Sequence, residues 1–91
     1  MLPKQMKRDL QSPLVRYRMY LQLEKSMTEN TLDAYVGDVV KLEKFLASAQ
    51  KDTLDATFED IQSFFESLAG VGIHPRSRAR ILSSLRSYYS F

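Results

Sequence analysis

Ninety-one residues, 44% of them hydrophobic, make one small domain near the size at which a hydrophobic core alone offsets chain entropy. Cysteine is absent, which excludes a disulfide frame and a thiolate zinc site, and no run approaches the ~20 apolar residues of a membrane-spanning helix. The net charge is only +2, but residues 1–25 carry six basic and two acidic side chains, residues 26–73 three and nine, and residues 74–91 four arginines and no acid.

Residues 1–12 read as a flexible basic leader, and because no apolar run follows its charges it is not a secretion signal. A soluble cytoplasmic protein is the expectation. Ser12 is placed to cap a first helix, with Pro13 at its first position and Leu14, Tyr17 and Leu21 facing inward, running to about Lys25. Thr28 caps a longer second helix, Glu29 to about Ala49, whose apolar stripe is Leu32, Tyr35, Val36, Val39, Leu42 and Leu46.

A polar link over 50–56 precedes Thr57, the next expected cap, with Glu59 and Asp60 in the first turn where the helix dipole favours acids. Phe58, Ile61, Phe64, Phe65 and Leu68 form the inward side of this third helix. Gly70-Val71-Gly72 turns the chain, His74 sits at a capping position, and Pro75 opens the fourth helix, whose apolar side is Ile81, Leu82, Leu85 and Tyr89. No strand-like alternation and no internal repeat interrupts the helical period, so the fold class is all-α: a compact four-helix bundle of two crossed helical hairpins over residues 13–91.

Nothing in the chain has the pattern of an active site. The single histidine, His74, has no partner base, no phosphate loop or metal-ligand spacing is present, and the carboxylates lie singly on helices with lysines nearby, as Asp33 and Asp38 do with Lys41, most of them solvated. No metal, cofactor or small-molecule substrate is implied. Phe58, Phe64, Phe65, Tyr88 and Tyr89 read as core rather than as stacking platforms for bases.

Nucleic-acid contact has a geometric basis. Arg76, Arg80, Ser83 and Ser87 recur at three- and four-residue steps, lining one exposed surface opposite Leu82 and Leu85, where arginine forks and hydroxyls can meet phosphate or guanine. Thr28-Glu29-Asn30-Thr31 adds a helix start whose free N–H groups can hold a phosphate, with simple capping as the alternative. If the two basic ends meet in the fold, the domain has a positive face and an acidic back; scatter over a solvated surface is the alternative.

The order of these motifs resembles a known family. Tyr20-Leu21, Leu23 to Leu32 with Asn30-Thr31-x-x-x-Tyr35-x-x-Asp38, then Phe45-Leu46, Asp60-Ile61 and Ala79-Arg80-x-Leu82-Ser83-x-Leu85-Arg86-Ser87-Tyr88-Tyr89, is similar to the N-terminal, SAM-like core-binding domain of tyrosine recombinases. The Xer site-specific recombinases are the nearest pattern, with phage and transposon integrases sharing it, and residues 14–91 are covered.

The resemblance implies a domain that clamps duplex DNA at a recombination site, for chromosome-dimer resolution or DNA integration, alongside other protomers in a synaptic complex. Thr28, Asn30, Thr31 and Tyr35 of the second helix and Arg76, Ser77, Arg80, Ser83 and Arg86 of the fourth would then approach DNA. Thr31 and Tyr35 have a structural alternative, and Arg86 could instead brace a catalytic domain.

Val36-Gly37 departs from the basic residues that relatives carry after Tyr35, and His74 from their capping serine. The family's catalysis lies in a C-terminal domain absent from these residues, so the fragment is expected to bind DNA without cutting it. Arg80→Ala is expected to lower affinity and leave folding intact. The rival reading is a helical protein-interaction module without nucleic-acid binding.

Overall fold

A computed structural model describes residues 12–91, so all of the expected leader except Ser12 lies outside the described residues. Four helices, α1 Pro13–Leu23, α2 Glu29–Ala47, α3 Phe58–Gly70 and α4 Pro75–Ser90, form the regular structure among them. The α1–α2 and α3–α4 pairs are the two hairpins, joined chiefly by α2 against α4. This is the all-α architecture that the helical periodicity requires.

Local chemistry sets the ends of these helices. Pro13 opens α1, but the Ser12 hydroxyl makes no capping bond; its carbonyl accepts from the Arg16 N–H at 3.1 Å instead. The helix stops at Leu23, short of Lys25, as Ser26 turns the chain through a left-handed φ of 49°. At the far end of α2 the N–H groups of Ala49 and Gln50 bond three residues back, to Leu46 and Ala47, and Gln50 at φ 58° ends the helix at Ala47 rather than Ala49.

Thr57 and Asp60 form a reciprocal capping box at the start of α3, with bonds of 3.2 and 2.9 Å. Asp60 also receives Lys51 Nζ at 2.8 Å. That bond, with the Thr57 N–H, holds its carboxyl below the ordinary value of 3.8. Between α3 and α4 it is Gly72, at φ 83°, that reaches the conformation other residues avoid, while Gly70 closes the helix. His74 Nδ1 then accepts from the Arg76 N–H at 3.0 Å, so its capping geometry is realised.

The core is Tyr17 and Leu21 of α1, Leu32, Val39, Leu42 and Leu46 of α2, Phe64 and Leu68 of α3, and Ile81, Leu85 and Tyr88 of α4. Three expected core residues face water instead: Phe58 is 78% exposed, Leu82 38% and Tyr89 46%. The reason is the ~100° advance per residue of a helix. Phe58 stands about 120° around α3 from Phe64, and Leu82 and Tyr89 each follow immediately on a buried neighbour. Tyr17 and Tyr88 meet edge to face, centroids 5.2 Å apart, which ties α1 to α4 at the centre of the molecule.

Candidate nucleic-acid interface

The outer side of α4 carries Arg76, Ser83 and Arg86, all exposed, within about 80° of arc and along about 15 Å of axis. No acid lies on this helix, and neither arginine is paired among the described residues. Ser83 is less free, because its hydroxyl donates to the Ala79 carbonyl at 3.3 Å. Ser77 and Ser87, half-buried, stand at the rim. The surface therefore differs in membership from the one that spacing alone implied, with two unpaired cations at its ends.

Arg80 is differently placed. Its Nε donates to Asp38 Oδ2 at 3.1 Å and its Nη2 to Asp38 Oδ1 at 2.7 Å, a two-pronged contact across the α2–α4 packing. Asp38, against the expectation that most carboxylates are solvated, is 1% exposed. The Ser84 hydroxyl donates to Asp38 Oδ2 at 2.7 Å, and Lys41 Nζ stands 3.9 Å from Oδ1. These partners answer the cost of burying a carboxylate. The hydrogen bonds to Asp38 raise the Arg80 pKa further above its ordinary value.

The Asp38 contact gives Arg80 a structural role beside the DNA contact expected of it, since truncation would strip a buried carboxylate of its principal counter-ion. Half of the Arg80 side chain nonetheless remains in solvent.

The start of α2 is more committed to itself than expected. Thr28 Oγ1 accepts from the Thr31 N–H at 3.4 Å and donates to Thr31 Oγ1 at 2.9 Å. Thr28, Asn30 and Thr31 are exposed, but so is Glu29, whose charge opposes an anion at that end. Tyr35 lies half-buried against the core.

Of the basic N-terminal stretch, the described part packs beside the fourth helix. The Tyr17 hydroxyl donates to the Ser84 carbonyl at 3.2 Å, bringing α1 beside α4, although Arg18 is turned to Asp33 at 3.2 Å.

Sequence reasoning missed Asp38, Ser84 and Lys41 as members of one cluster. A signal was present: Asp38 falls three residues after Tyr35 and four before Leu42, on the flank of the apolar stripe, and Ser84 lies between Ile81 and Leu85. A second polar tie, Thr53 to the Tyr88 hydroxyl at 2.6 Å, anchors the 50–56 link to α4. Tyr89 adds to it by donating to the Thr53 carbonyl at 2.7 Å. Among the described residues no group of His, Cys, Asp or Glu is placed to hold a metal, and no helix is long and apolar enough to cross a membrane.

Residues 14–91 match the family model of the phage integrase, N-terminal SAM-like domain. Curated relatives include the tyrosine recombinase XerD of Rhizobium meliloti, 37% identical over 71 residues, a stretch that is 78% of this chain and 23% of the relative. Tyrosine recombinase XerC of Leptospira interrogans is 39% identical over 77% of this chain and 23% of its own length. XerD of Staphylococcus haemolyticus is 31% identical over 90% of this chain and 28% of its own length. The chain thus spans about a quarter of these relatives, and no solved structure matches it. With four helices of the required order and a match that runs from α1 to the last residue, the chain belongs to the phage integrase N-terminal SAM-like domain family.

Proposed function

We propose that residues 13–91 form a duplex-DNA-binding domain of a tyrosine site-specific recombinase, clamping the recombination site while a separate part of the parent protein performs strand cleavage. The observation that carries this reading is the acid-free outer face of α4, where Arg76 and Arg86 stand exposed and unpaired among the described residues. Cations so placed favour a polyanion by releasing its condensed counter-ions. Family membership and the names of the relatives support it independently. Thr28, Asn30, Thr31, Tyr35, Ser77 and Ser83 are supporting contacts in this proposal, and other recombinase protomers are the protein partners.

Fluorescence anisotropy with a recombination-type duplex at several salt concentrations tests the reading. Binding should weaken steeply with salt, and Arg76→Gln and Arg86→Gln should each lower the slope of log K against log salt by about 0.9, as expected for one lost phosphate contact. Salt-independent binding, or none, would remove the electrostatic basis of the proposal. A covalent adduct between this fragment and DNA would show that the fragment itself carries the chemistry.

A further inference from the structure

We propose that Lys41 and the outer edge of Arg80, gathered around Asp38, form one phosphodiester-binding site at the α2–α4 seam. The inference rests on the reading of the domain as a duplex binder and adds to it a site at the α2–α4 seam, away from Arg76 and Arg86. A guanidinium has five N–H donors, and Asp38 takes only the side formed by Nε and Nη2. The end formed by Nη1 and the second Nη2 hydrogen keeps its donors, with 43% of the side chain in solvent. Lys41 is 51% exposed and lies 3.9 Å from the same carboxylate oxygen that Arg80 Nη2 holds at 2.7 Å.

The charge arrangement gives this cluster its direction. Asp38 is buried beneath its partners, one oxygen facing Arg80 and Lys41, the other Arg80 and the Ser84 hydroxyl. One negative charge therefore lies inside and two positive charges lie outside, leaving a net cation at the surface. The Asp38 contact also fixes the guanidinium plane, so its outer fork is oriented before a ligand arrives. Lys41, held only at the limit of ion-pair distance on an exposed stem, can swing to a second phosphate oxygen while Arg80 keeps Asp38 neutralised.

The test compares Lys41→Gln with Lys44→Gln, an exposed lysine one turn further along α2, in the full 91-residue chain against the same duplex. Lys41→Gln should lower the slope of log K against log salt by about 0.9, an affinity loss of about eightfold at 0.1 M salt relative to extrapolated 1 M, with an unchanged thermal melt. Lys41→Arg should restore the slope, and Lys44→Gln should leave it near wild type. Equal losses from both glutamine variants would overturn the site in favour of a diffuse positive field. An unchanged slope in Lys41→Gln, with the wild type still binding, would overturn the site alone, whereas failure of the wild type to bind would overturn the duplex reading and the site with it.

Discussion

Asp38 of α2 and Arg80 of α4, 42 positions apart in the chain, are joined by two parallel charge-assisted bonds of 3.1 and 2.7 Å. The carboxylate is enclosed and the guanidinium is half in solvent, so the pair is both a fastener between the helices and a boundary of the basic surface. Removing either partner tests the first role. Arg80→Ala, which leaves Asp38 buried without its principal counter-ion, should cost about 3 kcal/mol, and Asp38→Ala, which leaves a half-solvated guanidinium, about 2 kcal/mol. Urea unfolding of both single variants and the double variant should give a coupling of at least about 1 kcal/mol. Strict additivity would show the pair to be stabilised by nothing beyond its separate environments.

Thr53 and the Tyr88 hydroxyl, 2.6 Å apart and both buried, pin the 50–56 link onto α4. Thr53→Ala should destabilise by about 1 to 3 kcal/mol because it leaves the phenol without its partner. Adding Tyr88→Phe should recover part of that loss, since no orphaned hydroxyl then remains. Thermal melts of the two singles and the double decide it: a double variant as damaged as the sum would assign the loss to packing.

Burial raises Tyr17, Tyr88 and Tyr89 above the ordinary tyrosine value of 10.0, with Tyr89 pushed up to about 12. Tyr89 is 46% exposed as a residue, but its hydroxyl points inward to the Thr53 carbonyl. An acid raised in the fold loses its proton first in the unfolded chain. Its contribution to stability is therefore whole below pH 10.0 and disappears as the pH climbs through the folded value. Tyrosinate absorbance and far-ultraviolet circular dichroism should change together in that window. Full ionisation of all five tyrosines with intact helices would contradict the burial account.

Phe58 and Phe64 share a helix and a side chain but not an environment, being 78% and 2% exposed. Phe58→Ser should change stability by no more than about 0.5 kcal/mol, while Phe64→Ala should cost about 3 to 5 kcal/mol. A comparable loss at both positions would mean that the face of α3 presented to the core is rotated from the one described.

The sequence by itself determined four helices, because caps, breakers and the 3.6-residue period are written locally: Thr28, Thr57 and His74 each bond the N–H they were positioned to bond. It also determined the family, through the motif order from Tyr20 to Tyr89, and the acid-free fourth helix. It misplaced Phe58, Leu82 and Tyr89, where composition invited burial and angular position denied it. Which arginine is free could only be decided in three dimensions. Spacing along α4 makes Arg76 and Arg80 equivalent cations, and only the packing of α2 against α4 brings a carboxylate to one of them. An ion pair depends on distance through space, and helical periodicity reports only the direction in which a side chain leaves its own helix.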